Sequence, residues 1–166
     1  MPISGKKHNP FYQAQAILSR RDHAESEMRE KLARKGFSDA QVESAVVWLK
    51  ENNLLDDAIF ARKYSESILL SKPVGPNWLR LKLRQRGVGT EVIDSTLAHI
   101  YEVHEQSELA QAAIQSWMRM YPNKAGNRPA LWRFLASRGF YPDVITQCLE
   151  DAQSEIQPED ELKIGE

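Results

Sequence analysis

Three segments of this chain align with one another without gaps, and that internal repetition constrains the fold more than any other feature. They are EMREKLARKGFSDAQVESAV from Glu27, WLRLKLRQRGVGTEVIDSTL from Trp78 and ALWRFLASRGFYPDVITQCL from Ala130. Their glycines, Gly36, Gly87 and Gly139, recur at intervals of about 50 residues. Apolar residues keep step: Met28, Leu79 and Leu131; Leu32, Leu83 and Leu135; Phe37, Val88 and Phe140; Val42, Ile93 and Ile145; Val46, Leu97 and Leu149. Spacings of four on either side of a glycine describe two amphipathic helices joined by a tight turn. WLRLKLRQRGVG alternates like a half-buried strand when read alone. The alignment makes it a helix with Leu79 and Leu83 in the core and Gly87 at its end.

The helix ends carry matching signals. A basic residue, Lys35, Arg86 or Arg138, precedes each glycine and suits the negative end of a helix. Ser38 with Gln41 has the capping-box pattern, and Pro142 suits a first helical turn. Gly75-Pro76, and Asn127 with Pro129, mark the starts of the second and third middle helices. A further amphipathic stretch precedes each pair: Ala14 to Arg21, Asp56 to Ser71, and Ser107 to Tyr121. Asp56 is placed to cap its helix, with Leu55 and Phe60 as a hydrophobic staple and Asp57 favoured by the helix dipole. SKPVGP and YPNKAGNRP read as loops. The expected fold is all-α, an elongated array of three tandem three-helix, helix-turn-helix-like repeats that stack on their neighbours. The expected boundaries are a flexible segment at 1–10, repeats at 11–53, 54–105 and 106–154, and an acidic flexible tail at 155–166.

Composition narrows the class of function. The 166 residues are 42% hydrophobic, enough for a core, and the formal net charge is -1. That balance conceals asymmetry: Lys72, Arg80, Lys82, Arg84 and Arg86 fall in a stretch without acids, whereas the C-terminal residues are rich in them. The single cysteine, Cys148, lies on the apolar stripe of Ile145 and Leu149 and reads as core. With one cysteine, no signal segment and no long apolar run, the expectation is a soluble cytoplasmic protein without membrane contact. His8, His23, His99 and His104 show no metal-ligand spacing, and no nucleophile, base and acid set stands out. Gly87-Val88-Gly89 is a turn, not a phosphate loop. The expectation is a non-enzyme with no catalytic residue, metal or cofactor.

The charge distribution also bears on DNA binding. In a helix-turn-helix reader the last helix enters the groove, yet DAQVESAVVWLKEN and TEVIDSTLAHIYEVHE carry acids that phosphates repel. The basic residues sit on the second helices instead. At about 100° per residue, Arg80 and Arg84 flank the core stripe on one side and Lys82 and Arg86 on the other. Leu81 then points outward near Trp78 and Gln85, either toward a partner or toward a neighbouring repeat. Trp48 and Trp117 read as core or repeat-junction residues, Trp132 is unassigned, and Arg133 and Arg138 give the third repeat a weaker basic surface.

Taken in order, SRRDHAESEMREKLARKGF, LLDDAIFARKY, GPNWLRLKLRQRGV and RFLASRGFYPDVI resemble the RecX family of bacterial regulatory proteins over roughly residues 11 to 152. The resemblance implies a monomeric cytoplasmic modulator, usually an inhibitor, of the RecA recombinase. It would bind the RecA nucleoprotein filament on single-stranded DNA and disturb ATP hydrolysis and strand exchange, serving recombination, DNA repair and the SOS response. Weak contact with single- or double-stranded DNA is also expected, and a helical-repeat DNA-binding protein independent of RecA is the alternative. By matching motif, the contact candidates are Arg80, Arg84 and Arg86; Arg29, Lys31, Arg34 and Lys35; and Arg133 and Arg138, to which the helical geometry of the middle repeat adds Trp78, Leu81 and Lys82. The chain departs from the family pattern at three places. Ala24 replaces a capping serine, so the helix there is expected to start from Asp22 or His23. Asn53 replaces a glycine, and Leu81-Lys82 replaces a polar and acidic pair.

Overall fold

A computed structural model describes residues 9–154 other than 125. The expected acidic tail and most of the expected N-terminal segment lie outside the described residues. Nine α-helices and a 3-10 turn at Pro122–Lys124 account for the regular structure described, with no strand among the described residues. They are α1 (Pro10–Leu18), α2 (Glu25–Arg34), α3 (Asp39–Glu51), α4 (Asp57–Ser71), α5 (Pro76–Gln85), α6 (Thr90–Val103), α7 (Gln106–Met120), α8 (Arg128–Ser137) and α9 (Pro142–Ser154). Among the described residues no helix is long and apolar enough to cross a membrane.

The described helices gather into two compact units, one built from residues 9–67 with 80–100, the other from 68–79 with the described residues of 101–154. The first has a core in which Met28, Leu32, Val46 and Leu49 close over Ala14. In the second, Leu131, Leu135, Ile145 and Cys148 pack under Ile114 and Trp117. Leu79 and Leu83 are fully buried, as the repeat alignment requires, each worth about 2 kcal/mol of burial. Burial also pushes the Cys148 thiol up in pKa, and its Sγ lies 3.7 Å from the Ser107 carbonyl oxygen, which suits a packing role.

Most of the expected ends hold. Ser38 and Gln41 form the capping box, Asp56 accepts from the amides of Ala58 and Ile59, and Asn127 accepts from Ala130 N–H. The first helix differs: it starts at Pro10 and ends at Leu18 because Asn9 accepts from the Phe11 and Tyr12 amides and Pro10 presets the first turn. Asn53 keeps the turn expected of a glycine, with φ 54°, since its short amide tolerates the left-handed region.

Ala24, not Asp22 or His23, is the N-cap of α2, and its side chain supplies no acceptor. Asp57, beyond any dipole effect on its own helix, reaches back 32 residues and accepts the Glu25 N–H at 2.8 Å. Position 75 in the second repeat aligns with 24. There Gly75 N–H donates to the Arg138 carbonyl at 2.9 Å and Asn77 N–H to the Gly139 carbonyl at 3.1 Å. Position 127 is the third equivalent, and Asn127 caps its own helix. Helix starts leave unpaired N–H groups. In α2 and α5 residues of the following repeat satisfy them, and in α8 the residue is an asparagine that needs no such help.

The turn glycines close these same junctions. A Cβ on Gly139 would collide with the backbone nitrogen of Trp78, and one on Gly87 with the side chain of Ser26, whereas Gly36 has open space around it. Arg138 Nη1 donates to the Pro73 carbonyl at 3.2 Å and Tyr101 Oη to the Val74 carbonyl at 2.8 Å, completing the Gly75 junction.

Candidate partner-binding surface

Most of the basic residues expected on the second helices are already engaged within the chain. Arg29 on α2 meets Glu43 on α3 at 3.1 Å and Glu25 at 3.3 Å. The hydrogen bond to Glu43 is the main cause that raises the Arg29 pKa. Arg80 on α5 pairs with Asp94 on α6. These two pairs occupy aligned positions, so the repeat carries an arginine-to-acid tie between its second and third helices. In the third repeat the same positions hold Trp132 and Thr146, and the tie is absent. Sequence reading missed it, although an arginine followed 14 residues later by an acid in both repeats was a legible signal.

Arg86 and Arg138, the cations before the glycines, are junction residues. Arg86 lies 3.5 Å from Glu27 and 5.3 Å from the Tyr64 ring centroid. Arg138, besides bonding the Pro73 carbonyl, lies 4.9 Å from the Phe134 ring. Glu27 collects Arg21 and His23 as well, with His23 Nε2 at 3.9 Å. Burial alone would raise the Glu27 pKa, but the Arg21 hydrogen bond and the charges of His23, Arg21 and Arg86 outweigh it and hold the carboxyl low. Trp78 is half-buried, its backbone against Gly139 and its ring 4.0 Å from Lys72 Nζ. The repeat-junction reading therefore fits Trp78.

Leu81 is different. It is 51% exposed on the face of α5 opposite Leu79 and Leu83. Arg84 beside it is exposed and makes no ion pair among the described residues, and Lys82 Nζ reaches Gln85 Oε1 at 3.2 Å. On α8, Trp132 is 39% exposed next to an exposed Arg133. An exposed apolar side chain beside an exposed cation thus occurs on the second helices of repeats two and three. In repeat one Arg34 pairs with Glu30 at 2.9 Å, while Lys31 and Lys35 face a concavity with Arg20 and Arg21, two residues that sequence reading did not single out.

Residues 12–49 match the model of the RecX first three-helix domain and residues 56–97 that of the RecX second three-helix domain. The chain is 34% identical over 134 residues to the "Regulatory protein RecX" of Prosthecochloris aestuarii, covering 81% of this chain and 87% of that protein. The chain belongs to the RecX family. The regulatory protein RecX of Chlorobaculum tepidum is 31% identical over 88% of this chain and 89% of its own length. The crystal structure of RecX from Lactobacillus salivarius superposes with a TM-score of 0.80 at 17% identity, over 92% of this chain and 99% of that one, a likeness of fold. A second crystal structure, of a regulatory protein RecX, matches with a TM-score of 0.77 at 25% identity, over 87% of this chain and 73% of that one.

Proposed function

We propose that this RecX-family protein is a regulatory binding module, not an enzyme, that engages the RecA nucleoprotein filament on single-stranded DNA. In this reading it lowers RecA ATP hydrolysis and strand exchange and acts in the cytoplasm as a monomer. Its functional organisation follows the three repeats at 11–53, 54–105 and 106–154. The observation that carries the proposal is similarity along most of the chain to proteins named for regulation, with their length largely covered. The surface supports it: Leu81 with Arg84 and Lys82, and Trp132 with Arg133, set exposed apolar side chains beside cations, a composition suited to an acidic protein surface or to exposed phosphates. Arg29, Arg80, Arg86 and Arg138 are assigned mainly to holding the repeats, with Arg84 as the primary cationic contact.

The test adds the purified protein to RecA on single-stranded DNA and follows ATP hydrolysis. The expected result is a fall in rate at stoichiometric ratios, reduced at least about fivefold in potency by Leu81→Ala with Arg84→Ala, worth about 1 kcal/mol. Helicity should be unchanged in that variant. An unaltered hydrolysis rate would remove the proposal, and binding to naked DNA that needs no RecA would favour the independent DNA-binding alternative.

A further inference from the structure

The segment between α1 and the end of α2 walls an open cleft of about 500 Å³ in the first compact unit. Arg20 and Arg21 follow the end of α1, whereas Lys31, Arg34 and Lys35 lie within one turn of each other at the end of α2, close enough to share a face. These five cations and His23 line the cleft over an apolar floor of Ala16 and Ile17, and no carboxylate is among the lining residues. Two of the charges are balanced from behind, Arg21 by Glu27 and Arg34 by Glu30 at 2.9 Å. Arg20, Lys31 and Lys35 make no ion pair among the described residues. His23 is buried with Nδ1 2.8 Å from the Arg21 carbonyl oxygen, and burial lowers its pKa.

A concave wall of one charge sign over an apolar floor focuses the field and concentrates counter-ions of matching shape. The cavity is of small-ligand size, and three unbalanced cations exceed what a single carboxylate can neutralise. We infer that this cleft is a phosphoryl-anion site, with Arg20, Lys31 and Lys35 as its principal contacts. The phosphates come either from a polynucleotide backbone or from a free polyphosphate or nucleotide. The inference rests on and deepens the proposed function: Lys31 and Lys35 are contact candidates from the sequence, and the cleft adds Arg20 and states what the three hold.

The test uses the full chain without RecA, so its outcome is separate from that of the filament assay. Labelled oligothymidylate is titrated by fluorescence anisotropy across a salt series, with tripolyphosphate as competitor. Replacing Arg20→Gln, Lys31→Gln and Lys35→Gln together should weaken binding about tenfold or more and reduce the salt slope by about 2. Helicity by circular dichroism should be kept, since all three side chains reach solvent. A variant of equal charge change elsewhere, Arg62→Gln with Arg119→Gln and Arg128→Gln, should lose much less. Tripolyphosphate that displaces the oligonucleotide at equal phosphate concentration assigns the site to free polyphosphates, and resistance to it assigns the site to a polynucleotide backbone. Equal loss in the two triple variants, or no binding of either probe at low salt, would overturn the inference.

Discussion

Gly36 and Gly139 occupy the same repeat position with φ of 88° and 81°, yet their surroundings differ. At Gly36 a side chain meets only the left-handed backbone penalty, and at Gly139 it also meets the Trp78 backbone. Gly36→Ala should therefore cost about 1 kcal/mol and Gly139→Ala about 3 kcal/mol or more, read as urea-melt midpoints. Equal costs would show that the close approach is not stabilising. The sequence alignment made the positive φ legible at both sites, because a helix that ends on a left-handed residue selects glycine, which has no Cβ to clash. The collision was not legible, since it depends on which distant stretch of backbone the fold brings against the turn. Leu81 was read correctly as outward from helical geometry alone. Trp78, three residues earlier, needed the tertiary contact to be placed at a junction.

At the level of helices, the tie between second and third elements separates structural cations from available ones. Arg80 and Asp94 are partly exposed, so a double-mutant cycle on Arg80→Ala and Asp94→Ala should give a coupling of about 0.5 kcal/mol that shrinks with salt. A coupling indistinguishable from zero at low salt would return Arg80 to the set of partner contacts. Charge counting in the sequence treated Arg29, Arg80, Arg84 and Arg86 alike, because a helical wheel places a cation on a face without showing the acid opposite. The helix starts were legible wherever the cap was local, as at Ser38, Asp56 and Asn127. At Ala24 the prediction failed because the acceptor, Asp57, comes from another repeat.

Across the molecule, buried His23 and the half-buried carboxylates Glu27 and Asp57 contribute to how stability responds to acid. His23 has a lowered pKa, so below about pH 6.5 the unfolded chain takes up a proton that the folded ring resists, and stability falls. Glu27 has a lowered pKa, so its contribution is full above about pH 4.5 and is lost as pH drops through the folded value. Asp57 works in the opposite direction: burial raises its pKa, which favours the folded state as the carboxyl protonates. Glu27→Gln should lower stability by about 1 kcal/mol at neutral pH and flatten the profile below pH 4.5, measured as urea midpoints against pH. A parallel, merely displaced profile would show that Glu27 acts through packing and not through its charge.

The borrowed acceptors at the starts of α2 and α5 also impose a direction in time on a chain made from its N-terminus. When α2 leaves the ribosome, Asp57 has not yet been synthesised, and when α5 leaves, the carbonyls of Arg138 and Gly139 are further from synthesis still. Each of these helices emerges with open amides and is completed only by the repeat that follows. The start of α8 is different, because its cap, Asn127, is made before the helix it closes.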